Sequence, residues 1–215
     1  MNKIKIAVVN HALVIPVFRR RWERLAQDAR YEVHLIVPEY WEQFYFSEKV
    51  TYQTKELHDE NYHIHPTKTS HASHYATFKF LQKDLHFSKI QPDLIYTMGA
   101  ESMQMFQQVI KAKKKFAPTA KMAFFTMNAK PLAFRRGRNP FIKIREYKKW
   151  LNIKKAFDLA LAHYPGCKDV LRKEGFNKPI FLQTQVGVDE TLFKPKPIER
   201  EKIREQLGFK DRFVI

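Results

Sequence analysis

Three consecutive arginines, Arg19-Arg20-Arg21, stand where an apolar helical spacing begins, after the first short apolar run of the chain. In the first turn of a helix the dipole is positive, and each cation there costs about 0.3–1 kcal/mol. An anion bound among the three would offset that cost, and side chains splayed into screened solvent would also lower it; both readings stand. A second basic region runs from Arg135-Arg136-Gly137-Arg138 through Lys143, Arg145, Lys148, Lys149, Lys154 and Lys155. Phe141, Ile142, Ile144, Tyr147, Trp150, Leu151 and Phe157 are interleaved with it. A cationic helix with a partly aromatic side suits an anionic lipid surface, where each basic residue contributes about 1 kcal/mol. Arg135, Arg136, Arg138, Lys143 and Trp150 are then the membrane-facing set. The same pattern also suits a sheet-covering helix with a solvated basic face. Nucleic acid is a weaker reading, because no recognised nucleic-acid motif accompanies the charge.

Other reactive residue types point less far. His58, His63, His65, His71 and His74 crowd one region, and His63 and His65 share a strand face, but no third ligand stands at an established zinc spacing. They read as polar surface histidines, and no metal is expected. Cys167, after Pro165-Gly166 at a helix start, reads as a buried structural thiol. The six glycines, Gly99, Gly137, Gly166, Gly175, Gly187 and Gly208, exclude both G-x-G-x-x-G and a P-loop.

The elements that must position these residues alternate. Ile4–Val9 is an apolar run of strand length, and Phe18, Trp22, Leu25, Ala26 and Ala29 follow at helical spacing. Val33–Val37 is a second strand closed by Pro38, with an aromatic loop over 40–46. Val50–Leu57 and Tyr62–Thr69 have strand composition. Phe78, Leu81, Leu85 and Ile90 suit a helix ended by Pro92. Asp93–Thr97 is a strand, Met98-Gly99-Ala100 a tight turn and Ser102–Phe116 a helix. A strand at Met122–Thr126, a basic loop, a helix from Pro140 and a strand at Leu159–His163 come next. Asp169–Glu174 is a short helix with Gly175 as its left-handed C-terminal residue and Phe176 as its lid. Ile180–Leu182 is the last strand. Strands separated by helices predict an α/β fold with a doubly wound, mainly parallel sheet and helices on both faces. Ligands bind outside the carboxyl ends of such strands, which selects the loops 10–16, 98–101, 126–139 and 164–167.

Length and charge bound the rest. A chain of 215 residues, 44% hydrophobic, supports a full core. Its 39 Lys and Arg against 22 Asp and Glu give a net charge of +17, which points to an anionic partner. One cysteine suits a reducing cytoplasm. Asn10 and His11 break the first apolar run and no small-residue cleavage site follows, so it is not a signal peptide. No run approaches the roughly 20 apolar residues of a membrane span, and any membrane contact is peripheral, on the inner face.

Val186-Gly187-Val188-Asp189 followed by Phe193-Lys194-Pro195 resembles the G-V-D-x-x-x-F-x-P segment of family 4 retaining glycosyltransferases, which have the two-domain GT-B fold. Ala160-Leu161-Ala162 and the run Val170 to Phe176 resemble that family's preceding strand and helix. The resemblance implies an N-terminal, Rossmann-like acceptor-side domain over 1–197. It also implies a linker and the start of a truncated donor-binding domain over 198–215, a fragment expected to be inactive alone. It implies transfer of a sugar, with retention and without metal, from a nucleotide-sugar co-substrate held by the second lobe to a glycan or lipid-linked acceptor. The alternative is a basic Rossmann-like module that binds nucleic acid or other polyanions without catalysis.

Two departures bear on the site. Relatives carry a Gly-Gly pair after the first strand; here the loop is Asn10-His11-Ala12-Leu13-Val14-Ile15-Pro16, so Asn10, His11, Arg19 and Arg20 take that place by position. Where some relatives carry a histidine two residues after the strand-ending Thr, this chain has Asn128, which can orient a hydroxyl but not act as a base. Glu101 is the nearest carboxylate on the ligand edge and a candidate for acceptor hydroxyls, or a first-turn acid favoured by the helix dipole. Gly187, read as a residue permitting positive φ, and Asp189 are expected on the rim of the cleft. Glu48 and Glu56 share the spacing of the family's donor carboxylates but lack their Pro-Phe-Gly context. No catalytic residue is assigned.

Overall fold

The structure is a computed structural model that describes residues 3–45, 48–70, 77–99, 104–128, 140–184, 187–188, 190–191, 193–209 and 212–213. Its strands are β1 (Ile4–Val9), β2 (Tyr31–Pro38), β3 (Tyr40–Tyr45), β4 (Glu48–Gln53), β5 (Leu57–His58), β6 (Tyr62–Thr67), β7 (Thr69–Ser70), β8 (Lys79–Phe80), β9 (Leu94–Met98), β10 (Lys121–Thr126), β11 (Leu159–Ala162) and β12 (Ile180–Leu182). Its helices are α1 (Arg20–Ala26), α2 (Phe87–Ile90), α3 (Gln104–Phe116), α4 (Pro140–Ala156), α5 (Pro165–Lys173) and α6 (Pro197–Gln206).

One 8-stranded sheet, in the order β12-β11-β10-β9-β1-β2-β6-β5, forms the centre. Every neighbouring pair is parallel except β5 with β6 at one edge. The strand order reverses between β1 and β9, so successive crossovers run outward in opposite directions and cover opposite faces. Alternation along each strand separates the two cores. Ala7, Val9, Ile36, Ile95, Met122 and Phe124 face one side with residues of α2, α3, α4 and α5, while Ile6, Val8, Val33, Leu35 and Phe125 face the other with Trp22 and Ala26 of α1. The fold is thus the expected α/β doubly wound, mainly parallel, Rossmann-like sheet with helices on both faces.

Helix α5 begins one turn earlier than the sequence suggests, with Pro165 in its first turn. Its end matches the expectation: Gly175 has φ 79°, its N–H donates to Arg172 O at 2.9 Å, and the Phe176 N–H reaches Leu171 O at 2.9 Å. Phe176 is fully buried against Phe124, and Cys167 is buried as expected. Within the expected 40–46 loop, Tyr40–Tyr45 is instead strand β3, which forms an antiparallel hairpin with β4 as a separate sheet, and residue 46 lies outside the described residues. The expected helix over Phe78–Ile90 shrinks to α2, because Phe80 pairs with Thr69 and the backbones of Leu85 and His86 are left-handed, at φ 51° and 60°.

Helix α4 buries Glu146, Trp150 and Ile153, positions that recur on one helical stripe. Trp150 was expected to face a membrane. It is 3% exposed, and its Nε1–H donates to Glu174 O at 2.9 Å, so it anchors α4 to the core. The outer side exposes Phe141, Ile144, Tyr147 and Leu151, with Lys143, Arg145, Lys148 and Lys155 around them. Arg135, Arg136 and Arg138 lie outside the described residues. Among the described residues no helix is long and apolar enough to cross a membrane.

The chain forms two compact units, Met1–Gln183 and Thr184–Ile215, so the boundary expected at 197 falls inside the second. The second unit contains α6, which ends with Gly208 at φ 69° and the Phe209 N–H on Arg204 O at 2.7 Å. Gly187 is exposed there, its φ is outside the left-handed region, and an added Cβ would meet nothing within 4 Å.

Candidate site at the carboxyl edge of the sheet

Strands β1 and β9 end side by side where the strand order reverses, and Asn10 ties them together. This residue is 1% exposed; its Nδ2–H donates to Met98 O at 3.1 Å and its Oδ1 accepts from Ala12 N–H at 2.7 Å. Thr97 Oγ1 donates to Val9 O at 2.9 Å one residue further back. An amide with two donors and two lone pairs keeps one of each beyond these bonds. Asn10 therefore sets the geometry of the edge and retains capacity toward a ligand.

His11 packs into an aromatic corner. Its ring centroid is 5.0 Å from Trp41 and 5.5 Å from Phe78. Burial in this apolar setting lowers its pKa to about 4, so the imidazole is neutral at pH 7. Its Nδ1 is buried without a hydrogen-bond partner.

The arginines divide. Arg19 donates from Nε to Leu13 O at 2.5 Å and from Nη2 to Val14 O at 3.0 Å, closing the 3-10 turn His11–Val14. Much of its guanidinium is thus committed to backbone. Arg20 is exposed on α1. Arg21, the third of the arginine run, lies over Trp22 with Nη2 at 3.0 Å from Met98 Sδ, beside the end of β9. Its Nε is buried and unpartnered, and burial lowers its pKa.

Further along the edge, Thr126 Oγ1 accepts from the Asn128 N–H at 3.1 Å, and Thr126 O accepts from the His163 N–H at 3.1 Å. Asn128 is half-buried next to this turn. His163, the first residue past β11, packs on Phe125 and has a buried, unpartnered Nδ1. The carboxyl-edge rule reaches His163 from sequence, since it ends a strand there, but nothing in its local pattern distinguishes it. Glu101 and Asp189 lie outside the described residues.

At the ends of β2 and β6 the edge opens into a groove of about 550 Å³, lined by Glu39, Thr54, Glu56, Thr67, Lys68 and Gln82 among others. Thr54 is 5% exposed and its Oγ1 is buried without a partner. A depression of similar volume, about 520 Å³, lies between Glu23 and Tyr62, with Asp59 and Glu60 also in its lining. It sits against α1 and the start of β6, away from the strand ends, and does not share the site.

The edge therefore combines a neutral imidazole, an amide, a hydroxyl and a guanidinium, each held by core contacts and each with unused hydrogen-bonding capacity. Such a set recognises polyhydroxylated and phosphorylated groups. No known protein-family model matches the chain, and no curated protein is significantly similar to it.

Proposed function

We propose that this chain is the acceptor-side lobe of a retaining glycosyltransferase, which moves a sugar from a nucleotide sugar to a glycan or lipid-linked acceptor. The observation that carries this reading is that, of the six buried side-chain atoms without a hydrogen-bond partner among the described residues, four (His11 Nδ1, Arg21 Nε, Thr54 Oγ1 and His163 Nδ1) belong to residues at or beside the carboxyl ends of the strands, the other two being Trp22 Nε1 and Glu146 Oε2. Leaving a polar group buried and unsatisfied costs about 1–3 kcal/mol, and a bound ligand recovers it. The 550 Å³ groove beside Thr54 is large enough for sugar rings, and its mixed lining of Glu39, Thr54, Lys68 and Gln82 offers donors and acceptors to hydroxyls. Arg21 supplies the positive charge that a phosphate requires. The Gly187 to Pro195 segment supports the same family by resemblance.

In this reading the chain's own residues bind and orient. Asn10 fixes the turn that presents His11, whose neutral ring offers Nδ1 as a hydrogen-bonding atom to a ligand hydroxyl. Arg21 fixes the anionic part of the ligand, and the groove holds the remainder. The exposed stripe Phe141, Ile144, Tyr147 and Leu151, flanked by lysines, supports a place on an anionic membrane surface, where a lipid-linked acceptor would be met.

The test is transfer by the natural gene product, assayed with a panel of nucleotide sugars and glycan or lipid-phosphate acceptors. The expected result is a product with the donor's anomeric configuration, with kcat/KM lowered about 10- to 100-fold by Arg21→Gln. Inactivity with every common pairing would oppose the reading. Salt-sensitive binding of oligonucleotides without any transfer would favour a polyanion-binding module instead.

A further inference from the structure

The outer strands carry a second cluster, which shares only Glu56 with the lining of the carboxyl-edge groove. Glu32 and His34 are two apart on β2, and His63 and His65 two apart on β6, so all four project from the same sheet face. The parallel register sets His34 opposite His63, and their rings stack at 4.5 Å with 18° between planes. Antiparallel β5 adds His58 beside His63, and the left-handed backbone at Leu85 and His86 brings the His86 ring to 4.9 Å from His65. His58, His63 and His65 are therefore not independent surface histidines. They are joined by two partners from distant parts of the chain, His34 and His86.

We propose that Glu32, His34 and His63 bind one divalent transition-metal ion of the zinc type. Each of the three offers one ligand atom, and these atoms all lie within 4.8 Å of one another. Glu32 Oε1 is 2.8 Å from His34 Nε2 and 3.6 Å from His63 Nε2. These two distances bracket the edge of roughly 3.3–3.4 Å that a tetrahedral ion with bonds of about 2.0–2.1 Å requires. Imidazole and carboxylate suit zinc in type, and three protein ligands leave a fourth position for water.

The outer contacts have the arrangement that orients metal-bound histidines. His34 Nδ1 lies 3.1 Å from His65 Nε2, His63 Nδ1 lies 3.4 Å from His58 Nδ1, and His58 Nε2 lies 2.9 Å from Glu56 Oε1. A ligating imidazole places its second nitrogen on such partners. The chain of contacts also assigns the protons. The Glu56 carboxylate only accepts, so His58 carries its proton on Nε2 and its Nδ1 accepts from His63 Nδ1–H. His63 Nε2 then turns a lone pair toward the Glu32 carboxylate, a repulsive juxtaposition that a cation between them resolves. His34 donates from Nε2 to Glu32 Oε1 at 2.8 Å in the ion-free chain; the ion takes the place of that proton, and His34 is then protonated on Nδ1, 3.1 Å from the accepting His65 Nε2. Burial lowers the pKa of His34, His63 and His65, which favours the neutral, ligating form.

Opposing charge is close: Lys5 stands opposite Glu32 in the register of β1 with β2 and acts on His34, and Lys3 acts on His63. Lys3 Nζ is also held by Asn61 Oδ1 at 2.5 Å and lies 3.6 Å from Glu60. The positive charge of the remaining surface is screened beyond about 8–10 Å, whereas coordination acts at contact. A second triad, Glu56, His58 and His65, meets the same distance criterion, but Glu56 and His58 are exposed while Glu32, His34 and His63 are largely enclosed. The enclosed triad is the assigned site. It joins β2 to β6 and, through His58, to the antiparallel edge strand β5.

The test uses untagged protein stripped with a chelator and titrated with Co²⁺, then Zn²⁺. The expected result is one equivalent bound, with the visible bands of tetrahedral Co²⁺ displaced by Zn²⁺. Glu32→Gln and His63→Gln should each weaken binding 100-fold or more, and Glu56→Gln about 10-fold through the outer contacts. Glu32→Gln preserves shape at a half-buried position, so it keeps the test decisive if His63→Gln fails to fold. Absence of saturable one-to-one binding, or binding unchanged by Glu32→Gln, would overturn the proposal. Loss of binding on Glu56→Gln with Glu32→Gln intact would overturn it equally, by moving the ion to the outer triad.

Discussion

The side-chain amide of Asn10 donates to the backbone carbonyl of Met98 at 3.1 Å, bridging the ends of β1 and β9 where the strand order of the sheet reverses. The same side chain accepts from the Ala12 N–H at 2.7 Å, so one residue shapes both loops that meet at this point. Replacing it by alanine removes both bonds from part-buried backbone groups and empties a fully buried side-chain position. Asn10→Ala is expected to lower stability by about 2–3 kcal/mol, read as a shift in the urea midpoint without change in its slope. An unchanged midpoint would mean that the bridge is not formed in solution.

Acid should destabilise the protein through His11. Burial holds this group at about 4, against 6.5 for an exposed imidazole. As pH falls, the unfolded chain takes up the proton first. The stability is therefore fully present above about pH 7, is lost between about 6.5 and 4, and changes no further below that range through this residue. The whole difference is about 3 kcal/mol. Unfolding free energies at pH 7.5 and 4.5, compared between wild type and His11→Gln, should show a smaller acid loss in the variant. An equal loss in both would place the acid sensitivity elsewhere.

The two faces of α4 should respond to substitution in different ways. Trp150→Ala removes a buried indole and its bond to Glu174 O, with an expected cost of about 3–5 kcal/mol in stability. Phe141→Ser changes an 80% exposed ring and should leave stability within about 0.5 kcal/mol. If α4 lies on lipid, Phe141→Ser should instead lower sedimentation with anionic vesicles about 10-fold or more. Wild-type protein that fails to sediment with such vesicles would remove the membrane from the account.

Gly175 tests the helix end. Its φ of 79° strains any side chain, whereas the nearest obstacle to a Cβ, Lys154 Nζ at 3.2 Å, is the flexible end of a lysine and can move. Gly175→Ala is expected to cost about 1–2 kcal/mol in thermal or urea unfolding, from backbone strain alone.

The parts of this architecture legible in the sequence are those set by local chemistry. Apolar runs such as Ile6–Val9 and Met122–Thr126 are buried on both faces of a parallel sheet and read plainly as strands. Gly175-Phe176 reads as a helix stop because the left-handed residue and its apolar lid are adjacent. What escaped depends on register between distant segments. The 40–46 aromatics look like a loop until β4 pairs with them, and Trp150 looks lipid-facing until Glu174 and Phe176 are folded beneath it. Arg19 and Arg21 are equivalent in sequence, yet one is turned onto the carbonyls of Leu13 and Val14 and the other onto Met98. His34 is separated from His63 and His65 by the whole β3–β4 hairpin, so no spacing rule joins them before the sheet does.

The central claim is that the carboxyl edge of the sheet recognises a hydroxyl-bearing acceptor through its unpartnered side chains. The most direct measurement is NMR of the imidazole nitrogens in ¹⁵N-histidine-labelled protein, titrated with a panel of free oligosaccharides and glycosyl phosphates. The account expects the Nδ1 resonances of His11 and His163 to shift on saturation by at least one of these ligands, with the shifts lost in Arg21→Gln or Thr54→Val. Binding that perturbs neither nitrogen, or no binding across the panel, would contradict it.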